Sequence, residues 1–523
     1  MKKQFLSLLL LFFPLVTFAA EGETLTQKID TVFQKYTQWF VDAVFYQIPI
    51  APNFSAPWVV LLLLGGALFF TFYFKFINIT GFRTAIQVLR GKHDDLELSE
   101  ASETDGKTKK THKKAPGEVS HFQALTTALS ATVGLGNIAG VAIALSIGGP
   151  GATFWMILGG FLGMAMKFAE CTLGVKYRDI GPDGTVYGGP MYYLKKGLSE
   201  KGMKSFGKFL SIAFAILITG GAFGIGNMFQ ANQASSQVAS LFNLEGNATI
   251  WIGGIMAIMV AFVIIGGIKR IAKVTDKLVP FMAILYVVSA LIIIGINYQY
   301  LGAAFGQIFD GAFTGTGITG GVVGVMIQGI KRSTFSNEAG LGSAPTAHAA
   351  VKTNYAASEG IVALLEPFID TVVICTMTAL IIILSNMNQD ILVYGQPISE
   401  GVKITAAAFD SAIPHFSIIL TVVVFLFAFS TMISWSYYGL QGWAFLFGRK
   451  KKTLLIYNIL FCIFIWIGSA ISLGSVIEFA DAMNFAMAIP NIIGIVVLAP
   501  VVRKEYRKYM AAIQRKKESK IAA

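Results

Sequence analysis

The sequence, 523 residues long, predicts an all-α membrane protein of about eleven spanning helices, the last ten in two inverted sets of five. Three observations carry that expectation. Hydrophobic residues make up 54% of the chain and charged residues 13%, against about 25% charged in an ordinary soluble domain. Apolar runs of about 20 residues, enough to cross a hydrocarbon core of about 30 Å, recur along the chain. Lys and Arg gather in alternate loops, as the positive-inside rule asks. This composition excludes a soluble enzyme, a disordered chain and a disulfide scaffold. The 42 Phe and 54 Gly fit the same class, because lipid solvates Phe-rich surfaces and Gly lets helices approach closely. Cys171, Cys375 and Cys462 all lie in apolar runs, and none is placed for an exterior disulfide.

Taken in order, Met1-Lys2-Lys3, the apolar run from Phe5 to Phe18 and Ala19-Ala20 before Glu21 have the three parts of a signal peptide. An extra short membrane helix is the alternative. Cleavage after residue 20 would leave the mature N-terminus outside. Residues 21–56 then form an extracytoplasmic segment and 57–77 an accessory membrane helix. Residues 78–120 form a charged cytoplasmic linker, whose 91–118 stretch is expected to be flexible because it is poor in apolar residues. The first five-helix set, 121–297, holds spans at 121–147, 150–175, 208–240, 249–267 and 277–297. The second, 318–501, holds an interrupted span at 318–347 and others at 359–384, 415–447, 453–473 and 479–501. A basic tail, 502–523, closes the chain.

Alternating these spans from an outside start puts 32 basic residues in interior segments and three, Lys28, Lys35 and Lys403, in exterior ones. The N-terminus is therefore expected outside and the C-terminus in the cytoplasm, in a multi-pass cell (inner) membrane protein. The net charge of +12 is a topogenic signal, and nucleic-acid binding is excluded as a reading of it. The basic tail is a candidate for contact with anionic lipid.

The two sets start from opposite faces and so are inverted. Inverted repeats whose first helices are broken build a solute carrier. The first break is expected at Gly134 and Gly136, since glycine costs about 1 kcal/mol in a helix interior. Unwound N–H groups can hold a carboxylate and unwound C=O groups a cation; close helix packing is the alternative use of these glycines. The second is expected where Lys331, Arg332 and Glu338 interrupt 318–347, because charge at membrane depth is costly and usually functional. An internal Arg332–Glu338 pair is one reading of that stretch. Asn227, Gln230, Gln233 and Gln237 make a polar stripe that must face the interior. Ser430, Thr431, Ser434 and Trp435 bring hydroxyls and an indole to one helix turn, where hydroxyl and carbonyl oxygens suit a hard monovalent cation. Hydroxyls bonding their own helix are the alternative.

Three stretches then resemble the alanine/glycine:cation symporters, the sodium:amino-acid carrier family: Gly148-Gly-Pro-Gly-Ala-Thr-Phe-Trp-Met156, Ser336-Asn-Glu-Ala-Gly-Leu-Gly-Ser-Ala-Pro345, and Gly134-Leu-Gly-Asn-Ile138 with its preceding Ser-Ala-Thr. The resemblance covers about residues 57 to 505. Ile157 departs from it, standing where a second Trp is usual. It implies a leucine-transporter-like fold with one added N-terminal helix. It also implies a sodium site from Ser130, Val133, Ser430 and Thr431. The substrate carboxylate would rest on the backbone of Leu135 and Gly136. Thr132 and Asn137 would lie near substrate or a second ion. Gln230, Gln233, Phe335, Asn337 and Trp435 are implied as pocket walls.

The expected function is sodium-driven uptake of a small neutral amino acid such as alanine or glycine, with serine and D-alanine in range. No cofactor beyond the coupling ion is expected, and the chain is not expected to be an enzyme, since H-E-x-x-H, G-x-S-x-G and Walker A patterns are missing from the sequence. Proton coupling through Glu338, Glu366 or Asp370 is the alternative, with structural pairing the other use of those carboxylates. An ion channel fits less well, because it leaves two separately broken halves unexplained. The oligomeric state is left open.

Overall fold

The computed structural model describes residues 25–51, 54–98, 115–182, 184–315, 320–398, 401–471 and 473–522. The expected signal peptide and residues 99–114 of the charged linker lie outside them.

The chain opens with α1 (Leu25–Val44) and an antiparallel hairpin of β1 (Gln47–Ala51) and β2 (Phe54–Pro57). Helix α2 (Trp58–Tyr73) follows and bends by 63° into the short helices of 77–89. Next come α3 (His121–Thr132) and α4 (Ala139–Gly148), then α5 (Ala152–Lys176). Helices α6 (Lys204–Phe223) and α7 (Phe229–Leu241) are joined through a π-helical turn, Gly224–Met228. They lead to α8 (Ala248–Ile264) and α9 (Gly267–Ile296). The second half holds α10 (Gly321–Asn337), α11 (Ala356–Ala363) and α12 (Thr376–Gln389). It ends with α13 (Ser417–Phe447), α14 (Lys451–Gly468) and α15 (Leu473–Ala522). Among the described residues, seven helices are long and apolar enough to cross a membrane, or nine if each of two bent pairs is one span.

Burial separates an inner layer from an outer one. Helices α3, α4, α5, α10 and α11 are buried along most of their length. Large apolar residues such as Trp251, Phe262, Phe281 and Ile284 stand exposed on α8 and α9. Such a surface is stable where lipid replaces water. Helix α1 lies on α15 through edge-on ring pairs, Phe33 with Phe479 and Phe45 with Phe485.

The linker differs from its expected flexibility at its ends. Residues Asp94–Leu98 form a short helix, and Glu97 is 1% exposed. Its carboxylate is drawn in because His121, Thr353 and Tyr509 all offer it polar hydrogens. On the far side of the linker, Val119 forms a parallel bridge with Val351. The Glu118 N–H donates to Ala350 O at 2.7 Å and the Lys352 N–H to Val119 O at 2.8 Å.

Candidate binding site at two broken helices

Helix α3 starts with a reciprocal cap between Ser120 and Gln123, which satisfies two of its orphan donors. It stops at Val133, and α4 resumes with a 56° bend. Gly134 between them is extended (φ −143°, ψ −151°). A Cβ there would stand 2.5 Å from Thr431 Oγ1, so only glycine lets the two chains meet. Gly136 is less constrained: its Cβ would meet Phe335 and Ser336 at ordinary distances of 3.5 Å. The loop is held from three sides. Asn137 Oδ1 accepts from the Gly134 N–H at 2.9 Å, Gln230 Oε1 accepts from the Leu135 N–H at 3.3 Å, and Asn137 Nδ2 donates to Ser336 Oγ at 3.0 Å.

Beside this break, α13 presents its hydroxyls. Ser130 Oγ donates to Ser430 O at 2.9 Å, Thr431 Oγ1 donates to Ser130 O at 3.0 Å, and Ser434 Oγ donates to Ser130 Oγ at 2.9 Å. Val133 is buried one turn further along the chain. Ser430 also bonds its own helix at Phe427 O, 3.0 Å away. These neutral oxygens, all buried, are the donor type a hard monovalent cation takes.

The second break follows α10. Glu338 is left-handed (φ 57°), Gly340 and Gly342 also have positive φ, and a short turn, Pro345–His348, resumes. Positive φ at a non-glycine residue is uncommon, and here it ends α10 at Glu338. Other partners replace the expected Arg332–Glu338 pair. Arg332 pairs with Asp481 at 2.7 Å, and Lys331 reaches the same carboxylate at 2.8 Å. Glu338 accepts from Trp435 Nε1 at 3.0 Å and from the Ser343 hydroxyl. The Trp435 side chain fills the space over Gly226, where a Cβ would lie 2.5 Å from Trp435 Cβ.

A further contributor is Asp370, which the sequence offers only as a proton-coupling carboxylate or a structural pair. Asp370, fully buried on the π-helical turn Phe368–Cys375, accepts from Asn137 Nδ2, Ser336 Oγ and Thr371 Oγ1, each at 2.7 Å. It thereby ties the first break to the second. Its signal was a lone carboxylate in an apolar run.

The structure thus gathers Ser130, Leu135, Gly136, Asn137, Gln230, Phe335, Ser430 and Thr431 around the first break. Three expected residues sit differently. Thr132 bonds back to Ala128 O at 3.3 Å on its own helix. Gln233 donates to its neighbour Asn232 at 3.0 Å. Asn337 donates to Ser333 and Thr371 and borders a small cavity against α2 and α5.

A model of the sodium:alanine symporter family matches residues 40–523. The chain belongs to the sodium:alanine symporter family. The sodium/alanine symporter AgcS of Methanococcus maripaludis is 42% identical over 89% of this chain and 96% of its own. The probable sodium/glutamine symporter GlnT of Bacillus subtilis is 33% identical over 86% and 87%. Among solved structures, MhsT in complex with L-phenylalanine superposes with a TM-score of 0.54 at 14% identity, covering 76% of this chain and 99% of that one. The likeness extends the leucine-transporter fold to this family member. It is a multi-pass membrane transporter, a class distinct from enzymes.

Proposed function

We propose that this symporter couples inward sodium flow to uptake of a small neutral amino acid by alternating access. The observation that carries the reading is the meeting of Ser130, Ser430 and Thr431 oxygens at the break between α3 and α4. Sodium there would be ligated by these hydroxyls and carbonyls with Val133 completing the set. The amino-acid carboxylate would take the N–H groups of Leu135 and Gly136. Gln230 now accepts from Leu135 N–H and would yield that donor to substrate. The Trp435 indole above Gly226 supports a small side chain. The names of the relatives, sodium/alanine and probable sodium/glutamine symporter, agree with a neutral amino acid.

For topology we propose eleven spans: the accessory helix of 57–77, then inverted repeats at 121–297 and 318–501. The N-terminus lies outside, and the basic tail of 502–523 is cytoplasmic. The excess of 32 basic residues over three supports this orientation.

Labelled L-alanine uptake into proteoliposomes tests the proposal, with an inward sodium gradient and then an equal proton gradient. Accumulation with sodium alone is expected. Accumulation with protons alone would move coupling to an embedded carboxylate, Glu338 first. That second reading is favoured by the burial of Glu338 at the second break.

A further inference from the structure

A row of buried ionisable side chains runs apart from the substrate and sodium contacts. Glu366 lies 3.0 Å from Lys167 Nζ on α5, and its other oxygen is 3.4 Å from His348 Nε2. His348 Nδ1 is 2.5 Å from Glu359 Oε1. The second oxygen of Glu359 bonds His121 Nδ1, and His121 Nε2 is 2.7 Å from Glu97 Oε2. Glu97 sits beside the charged linker, where Tyr509 and Thr353 also donate to it. Carboxylates and imidazoles thus alternate from the basic-loop side to the interior, hydrogen-bonded from Glu97 to His348 and reaching Glu366 by the 3.4 Å ion-pair contact alone.

An isolated buried pair needs only two partners. Here His121 uses both nitrogens and Glu359 both oxygens, one toward each side, while His348 Nε2 and the Glu366 oxygen it faces are 3.4 Å apart with no hydrogen-bond partner among the described residues, a gap the last hop must close. That is the geometry of proton hopping: an imidazole can accept at one nitrogen and release from the other. We propose that the row is a proton path linking the Lys167–Glu366 pair to solution on the basic-loop side. A proton on Glu97 passes to His121 Nε2, and Nδ1–H passes its proton to Glu359. Glu359 protonates His348 Nδ1, and Nε2–H protonates Glu366. Each hop breaks one O–H or N–H bond and forms another, and the row is recharged at its Glu97–His121 end, where the His121 side chain is 10% exposed. Protonating Glu366 removes its charge from Lys167 and so loosens α5 from the chain around His348.

Other charges face the row. Arg178 and Cys171 lie near Glu359, His93 near Glu97, and Glu170, Glu338 and Asp370 near Glu366. None of them replaces a hop.

Infrared difference spectroscopy of the lipid-reconstituted full chain, between about pH 5 and about pH 8, a range that brackets the ordinary imidazole pKa, tests the path without assuming transport. The expected result is a protonated-carboxyl band that is lost in Glu366→Gln and rises several-fold more slowly after a pH jump in His121→Gln. Glu97→Gln, at the linker end of the row, should slow it likewise and guards against misfolding of the histidine variant. A band that Glu366→Gln leaves intact, or equal rates in His121→Gln, Glu97→Gln and the parent, would overturn the path. A second measurement rests on the symporter reading: sodium-driven uptake should respond several-fold to internal pH at fixed external pH, and this response should be lost in Glu97→Gln. Uptake indifferent to internal pH overturns the path alone, whereas no uptake overturns the symporter reading and leaves the infrared result to decide the path.

Discussion

Asn137 and Asp370, 233 positions apart in the chain, meet at 2.7 Å, and through that bond the break in the first core helix is fastened to the π-helical turn after the second. The same carboxylate takes the Ser336 hydroxyl at the end of α10. Asp370 thus holds the Asn137 amide N–H and the Ser336 hydroxyl in one buried network.

Asp370→Asn should therefore lower uptake at least tenfold at low sodium, with normal expression. The pair Asn137→Ala and Asp370→Asn should be non-additive, since groups in one network couple. Additive losses in uptake would separate the two residues and count against a shared network.

Thr431→Ala should raise the sodium concentration for half-maximal uptake about tenfold, corresponding to about 1.4 kcal/mol. Thr431→Ser keeps the hydroxyl and should stay near the parent. A titration of uptake against sodium reads both.

The two classes of glycine should behave oppositely. Gly134→Ala and Gly226→Ala place a methyl 2.5 Å from Thr431 Oγ1 and Trp435 Cβ and should abolish uptake or folding. Gly140→Ala meets nothing within 4 Å and should leave both intact. Size-exclusion profiles beside uptake distinguish a folding defect from a closed pocket.

Asp481 neutralises two cations, Lys331 and Arg332, the second of them 4% exposed. Asp481→Asn leaves a buried guanidinium uncompensated and should destabilise by about 3–5 kcal/mol. Lys331→Met removes a partner that is 21% exposed and should cost far less. Thermal melts in detergent would show the order.

The first break was legible because its signal is local. Gly134, Gly136 and Asn137 stand together in an apolar run, and Ser430-Thr431 do so in another. Neither stretch states by itself that they meet, and the family resemblance supplied that pairing. What stayed hidden depends on distance in the chain and on backbone sign. The Arg332–Asp481 pair joins residues 149 apart, and Glu338, six residues from Arg332 and so about 120° from it around a helix, turns in its left-handed conformation to Trp435 and Ser343. Thr132 and Asn337 show the converse. Their polarity marked them as interior, and there the hydroxyl bonds its own helix while the amide bonds Ser333 and Thr371, partners that spacing in the sequence does not name.

The parallel bridge of Val119 with Val351 joins the chain entering the first broken helix to the chain leaving the second. Three peptide hydrogens, those of Glu118, Val119 and Lys352, are spent on that crossbar. On the basic-loop side the two segments thus share one clasp, and letting go of one strand lets go of the other. Its three amide protons form a built-in clock, whose exchange with solvent should report how often that clasp comes apart.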